Sequence, residues 1–241
     1  MRGAQTIQAS PNFPAGEQMT TFRIPIILLI LGLGGCKDLG VIPLPPENLR
    51  LSIKAPATVL AKVNHEILHL TSVKVLMKEI EFSQAGSDDS VEIESGPQVV
   101  SLSLDAKITE VTAVKIPAGV YDRVRFTIHK PEDQEQVPDS TFRSGESGNE
   151  RFSIVITGFY HETPFTFKSR ESTRLELRLA TPVSVVEDGV ANVTLRIDPY
   201  LWFQTNGLIL DPFNQTGQID DLIKSSFAEA FRDNDRNGDP D

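Results

Sequence analysis

Apolar and polar residues alternate with a period of two along much of the chain after residue 49, and this period constrains the fold more than any other feature. In residues 173–179, Leu175, Leu177 and Leu179 share one side, and the positions between them are charged. Residues 191–197 alternate in the same way. Successive side chains of a β-strand point to opposite faces, so the pattern predicts strands with one buried and one solvent-exposed face.

Turn signals separate the alternating segments, among them Pro117-Ala118-Gly119 and Glu187-Asp188-Gly189. Strands are therefore expected about every 8 to 15 residues, and no helical pattern interrupts them before residue 217. This spacing predicts an all-β fold, an antiparallel Greek-key-like β-sandwich in one domain over residues 47–204. The polar segment 130–150 predicts a long surface loop.

A short C-terminal α-helix is predicted within residues 205–232. Asp220 and Asp221 fall in its first turn, where acidic side chains suit the helix dipole. We expect the helix to pack on the sandwich through one apolar stripe at helical spacing, formed by Ile219, Leu222, Ile223, Phe227, Ala230 and Phe231.

Residues 1–35 have the features of a secretory signal peptide, with Met19 as the expected start. Arg23 precedes an apolar run, 24–31, that is too short to span a bilayer. Leu33-Gly34-Gly35-Cys36 follows, and Cys36 is the only cysteine of the chain. These four residues resemble the lipobox of bacterial lipoproteins. The resemblance implies that Cys36 is acylated and becomes the mature N-terminus.

Residues 36–46 predict a lipidated cysteine and a semi-rigid tether, because three of the four residues 43–46 are prolines. The lipobox resemblance implies a bacterial cell-envelope protein held to a membrane by its acyl chains. We expect the protein to be anchored in the outer membrane, on either its periplasmic or its surface face. The formal net charge of −10 is opposite to that of a nucleic-acid-binding domain, so no nucleic-acid partner is expected.

The segment HEILH, residues 65–69, matches the pattern of zinc peptidases, in which two histidines bind the metal and the glutamate is the general base. It predicts an alternative function, a zinc-dependent hydrolase that uses His65, Glu66 and His69. A catalytic zinc site needs three protein ligands. The extended form of the motif needs a glycine at position 72 and the third ligand, a histidine, at position 75, where the chain has Ser72 and Val75.

The residues after HEILH favour a strand. Residues 70–77 are rich in β-branched side chains and alternate, whereas a zinc helix has to continue through the motif. The alternation changes phase after Met77, which predicts a β-bulge near Lys78 and Glu79. In a strand the two histidines would lie about 13 Å apart, too far to share an ion. We therefore interpret the chain as a protein that is not an enzyme.

The last nine residues, 233–241, match the first half of an EF-hand-type calcium loop. Oxygen ligands are expected at loop positions 1, 3 and 5, with Gly238 at position 6 for the sharp turn, but the sequence offers no glutamate at position 12. The alternative is a solvated acidic tail without a metal. A bound calcium would be weakly held and structural, with the candidate ligands Asp233, Asp235, Asn237, Asp239 and Asp241.

Tyr200 and Trp202 form the remaining candidate site. Exposed aromatic rings stack on sugars or partner proteins, whereas rings at the end of a strand more often close the core. Both interpretations stay open from the sequence.

The segments IPAGVYDRVRFTIHKPED and DNDRNGDPD, together with the lipobox and the proline tether, resemble uncharacterised bacterial β-sandwich lipoproteins grouped as domains of unknown function. The resemblance implies a prealbumin-like or carbohydrate-binding-like sandwich and implies no reaction. The sequence therefore predicts a membrane-anchored, non-catalytic binding or structural module. Its expected partners are a polysaccharide or an envelope protein, and calcium is the one cofactor expected.

Overall fold

The structure, a computed structural model, describes residues 47–55, 67–94, 96–145, 147–226 and 229–241. The predicted signal peptide, Cys36 and the tether lie outside these residues. Within them, no helix has the length and apolar character needed to cross a membrane.

The described residues are mostly β-strand, as predicted, with one α-helix, α1, at Thr216–Ser226. The strands are β1 Leu49–Lys54, β2 Leu68–Gln84, β3 Ser90–Glu94, β4 Gln98–Ser101, β5 Ile108–Val114, β6 Gly119–Ile128, β7 Ile154–Tyr160, β8 Thr163–Ser169, β9 Thr173–Val185, β10 Ala191–Arg196, β11 Gln204–Thr205, β12 Leu208–Ile209 and β13 Glu229–Arg232.

Eleven of these strands form one sheet with the order β5-β1-β10-β13-β9-β6-β2-β7-β8, and β3 and β4 pair with β2 beside this path. The sheet is mixed. β1 pairs with β10 in parallel, and so does β13 with β9, whereas the other pairs are antiparallel. The prediction of a purely antiparallel sheet was therefore wrong, because β10, which follows β1 only after a long stretch of chain, lies beside β1 and runs in the same direction.

Strand β2 is 17 residues long and serves two parts of the sheet. Lys74 pairs with both β7 and β4, and Met77 pairs with both β6 and β4. Because a strand has two edges, β7 and β6 follow one another along one edge of β2, and β4 lies on the other. The β2 strand thus joins the β7–β8 hairpin to the β6–β9 pair.

The predicted bulge in β2 is confirmed. The register with β6 shifts between Lys78 and Glu81. Glu79 has a φ of +56°, in the left-handed region that ordinary strand residues avoid. The bulge returns the apolar residues Ile80 and Phe82 to the core, where both are fully buried.

The central core takes residues from most strands of the sheet and from α1. In β10 the expectation of one wet face fails, because Asn192 and Thr194 are buried along with the apolar residues between them. β10 lies between β1 and β13, and the C-terminal residues cover its polar side.

The C-terminal region differs from the prediction of one helical stripe. Ile219 and Ile223 of α1 are buried, but the helix ends at Ser226, and Ala230 and Phe231 belong to β13. β13 lies between β10 and β9, so its backbone pairs on both sides. A four-residue segment satisfies its hydrogen bonds better there than at the end of a helix.

The segment 130–150 is a long connection, as predicted, and contains two short 3-10 helices, Ser140–Phe142 and Gly148–Glu150. Its Phe142 is fully buried and packs in a second, smaller apolar cluster with Leu76, Phe152 and Val155. The loop therefore covers the outer side of β2 and β7.

Candidate metal centre

The acidic loop, residues 233–241, begins directly after β13 and is held by a buried carboxylate. Asp233 has no exposed surface. Its Oδ2 accepts hydrogen bonds from the Thr194 hydroxyl at 2.7 Å and from the Gly238 amide at 3.0 Å, and its Oδ1 accepts one from the Asn237 amide at 3.0 Å. Strand β10 therefore positions the first residue of the loop, and the loop backbone wraps around its carboxylate.

Three carboxylates of the loop converge. Asp233, Asp235 and Asp241 each offer an oxygen, and these oxygens lie within 4.8 Å of one another. The Arg232 guanidinium lies 3.5 Å from the Asp241 carboxylate, and no other cation of the described residues is ion-paired with the three. Oxygen atoms at this spacing, with an excess of negative charge, suit a hard divalent cation such as Ca²⁺.

The other two predicted ligands are placed differently. Asn237 lies beside the cluster, donating from Nδ2 to Asp235 at 2.9 Å and accepting the Asp239 amide at 2.7 Å. The Asp239 carboxylate instead faces cations, 3.2 Å from Arg196 and 3.8 Å from Lys54. The structure thus brings three of the predicted ligands together, whereas the Asp239 side chain forms ion pairs with Arg196 and Lys54.

Two features of the loop favour glycine at position 238. Its φ is +81°, which side-chain-bearing residues rarely adopt. A Cβ atom there would lie 2.0 Å from the Lys54 Cδ atom, so the lysine could not keep its place. That place matters, because Lys54 Nζ donates to the Asn237 carbonyl at 2.8 Å and ties the loop to β1.

The described part of the HEILH motif does not form the helix that a zinc peptidase site requires. His65 and Glu66 lie outside the described residues. His69 lies in strand β2, and its ring stacks on Phe159 with the centroids 6.4 Å apart. The peptidase hypothesis needs a helix through residues 62–75, and residues 68–75 are strand.

The two aromatic candidates lie in the core. Trp202 is fully buried in a 3-10 helix, Leu201–Phe203, and Tyr200 is 9% exposed. Burial also raises the pKa of the Tyr200 hydroxyl. The exposed ring surface on which the binding interpretation depended is therefore missing at both residues.

No protein-family model, curated protein or solved structure matches the chain. The likeness to lipoprotein domains of unknown function stays a prediction that rests on sequence motifs. The class of protein is therefore inferred from the β-domain, the acidic loop and the segment around Cys36.

Proposed function

We propose that the chain is a lipid-anchored, non-catalytic module of the bacterial cell envelope, and that its acidic loop binds a calcium ion that holds β13 in the sheet. The anchor is Cys36, acylated at the lipobox-like segment and followed by the tether 36–46. The module is the β-domain, for which we propose a sandwich-like arrangement of the mixed sheet around its large core.

One observation supports the calcium part of this proposal: the acidic loop starts where the strand that bridges two parts of the sheet ends. β13 pairs with β10 over four residue pairs, and with β9 through Ala230 and Leu179. A strand held by so few pairings gains stability from contacts that keep its next residue in place. Asp233 is that residue.

Electrostatics give the cation its effect. Two like charges about 4 Å apart repel by about 1 kcal/mol in water and by about 4 kcal/mol at the dielectric of a protein surface. A divalent cation among Asp233, Asp235 and Asp241 turns this repulsion into attraction. Because the cluster exists only in the folded chain, binding stabilises the fold by mass action. We expect a dissociation constant on the order of 10⁻⁴ to 10⁻³ M.

Calcium-dependent thermal unfolding tests this part. The buried apolar residues lie between Leu49 and Phe231, so a soluble chain from Lys37 to Asp241 keeps the core. Its melting temperature should rise with millimolar calcium and much less with magnesium. Asp235→Asn should abolish the rise, whereas Asp221→Asn, the same charge change on the exposed side of α1, should keep it. A melting temperature that does not change with calcium would exclude the calcium site.

Acylation needs a separate test on the full chain, expressed in a bacterial host. The wild-type chain should incorporate labelled palmitate and sediment with membranes. Cys36→Ser should lose both properties and leave the calcium response of the domain unchanged. A Cys36→Ser chain that stays in the membrane fraction would exclude the anchor without affecting the calcium proposal.

A further inference from the structure

Strand β8 and helix α1 enclose a cleft at one end of the sheet. β8 is the last strand in the sheet order, so the cleft opens beside a sheet edge. Its volume is about 400 Å³, within the range of small-ligand pockets. The residues that define its chemistry are Phe152, Lys168, Arg170, Glu171 and Asp220.

The β8 side of the cleft carries two cations, Lys168 of β8 and Arg170 just after it. Lys168 Nζ lies 4.5 Å from the centroid of the Phe152 ring, and the Arg170 guanidinium lies 5.5 Å from the same centroid. Arg170 Nε also donates to the Asn149 carbonyl at 2.7 Å. Neither cation has an ion-pair partner among the residues that the structure describes. The shared ring and the carbonyl hold both charges in place.

The α1 side carries the Asp220 carboxylate, one oxygen of which has no partner among the described residues. Asp220 is half-buried, and its Oδ1 is shielded from solvent without a hydrogen-bond donor among the described residues. Burial raises the pKa of the Asp220 carboxyl, and a hydrogen bond from Ser169 opposes that rise. Lys224, on the next turn of α1, pairs with Glu171 at 3.1 Å, so Glu171 is already neutralised.

We infer that this cleft binds a small zwitterionic ligand, an amino acid or short peptide, whose ammonium group contacts Asp220 and whose carboxylate contacts Lys168 and Arg170. A ligand with only negative charge would meet Asp220, and one with only positive charge would meet the two cations. A ligand that carries both charges supplies donors to the unpartnered oxygen and an anion to the unpaired cations. Such charge-assisted hydrogen bonds are the stronger kind.

The cleft shares no residue with the acidic loop, and its ligand requires neither acylation nor calcium. This inference therefore goes beyond the proposed function and is independent of its outcome. A failed calcium test leaves it intact, and the reverse also holds.

Chemical-shift titration of the soluble chain from Lys37 with L-alanyl-L-alanine tests the inference. At millimolar dipeptide, amide shifts should be confined to residues 166–171 and 216–220. N-acetyl-alanyl-alanine lacks the ammonium charge and alanyl-alanine amide lacks the carboxylate, so each should bind about tenfold more weakly or worse. Equal binding of the three probes, or no shift with the dipeptide, would overturn the inference.

Two variants locate the binding. Asp220→Asn keeps the shape of the side chain and should weaken dipeptide binding about tenfold. Lys168→Gln should weaken it through the opposite end of the ligand. Asp221→Asn is the matched control, because it removes a neighbouring exposed charge of the same helix and should bind as the wild type does. Undiminished binding in both Asp220→Asn and Lys168→Gln would place the ligand elsewhere and refute the inference.

Discussion

The buried carboxylate of Asp233 accepts a 2.7 Å hydrogen bond from the hydroxyl of Thr194, although 39 residues separate the two in the chain. Thr194 is 1% exposed and Asp233 is not exposed at all. A charged group in such a place is stable only while its hydrogen bonds are made. The sheet therefore supports the acidic loop before any cation binds, and the loop in turn secures the residue that follows β13.

Replacing Thr194 by valine should destabilise the domain. The variant keeps the shape of the side chain but leaves the Asp233 carboxylate short of one donor, at a cost of about 1–3 kcal/mol in the free energy of unfolding. Urea unfolding of the chain from Lys37 measures the change. Thr181→Val at an exposed position of β9 is the control and should change stability by less than about 0.5 kcal/mol. An unaltered unfolding curve for Thr194→Val would show that the bond contributes nothing.

Substitution of two glycines at positive φ distinguishes the cost of backbone strain from the cost of a steric clash. Gly207, with φ +76°, has open space where a Cβ would stand, whereas a Cβ at Gly238, with φ +81°, would collide with Lys54. Alanine at either position should cost about 1–2 kcal/mol from the left-handed backbone. Gly238→Ala should cost at least about 1 kcal/mol more, because Lys54 has to move. Urea unfolding of both variants checks this, and equal losses would contradict the packing of Lys54 against the loop.

Local sequence patterns predict the strands well because side-chain alternation is a local property. The charged positions of β9 and the phase change of β2 are visible in a few consecutive residues. The bulge is predicted from the same alternation, because an extra residue is needed to return the apolar side chains to the core face. Glu79, with a φ of +56°, lies in this bulge.

Pairing between distant segments could not be predicted in the same way. The parallel pairing of β1 with β10 depends on the path of the whole chain. Ala230 and Phe231 fit a helical stripe and a short strand equally well, because four residues are too few to fix a period. Thr194 and Lys54, which hold the acidic loop, lie 39 and 183 residues from their partners. No local pattern connects them with it.

The fluorescence of Trp202 tests where the aromatic residues lie. The side chain is the only tryptophan of the chain and is fully buried, so its emission should be blue-shifted and poorly quenched by acrylamide. Saccharides should leave the emission unchanged, because the ring has no exposed face on which a sugar could stack. Emission that resembles free tryptophan, or that responds to a saccharide, would restore Trp202 as a surface binding residue.

Acid sensitivity of the 130–150 loop is expected from one carboxylate. Asp139 Oδ2 accepts a hydrogen bond from Lys74 Nζ at 2.6 Å, and Oδ1 accepts the Thr141 amide at 2.8 Å, which caps the 3-10 helix Ser140–Phe142. The hydrogen bond from Lys74 is the main cause that lowers the pKa of Asp139 from 3.8 to about 2. The ionised form of Asp139 is therefore favoured by the folded state.

The consequence is a defined pH window for the loss of stability. Because the folded-state pKa lies below the unfolded value, the contribution of Asp139 is complete above pH 3.8 and is lost as the pH falls towards about 2. Asp139→Asn should lower the free energy of unfolding at pH 7. The difference in this free energy between the variant and the wild type should decrease as the pH falls from 3.8 to about 2. Urea unfolding at pH 7 and at several pH values between 3.8 and about 2 provides the measurement. Asp188→Asn, in an exposed turn, is the control and should change the free energy of unfolding at pH 7 by less than about 0.5 kcal/mol. If the free energy of unfolding of Asp139→Asn equalled that of the wild type at every pH, the Lys74–Asp139 contact would have no role in stability.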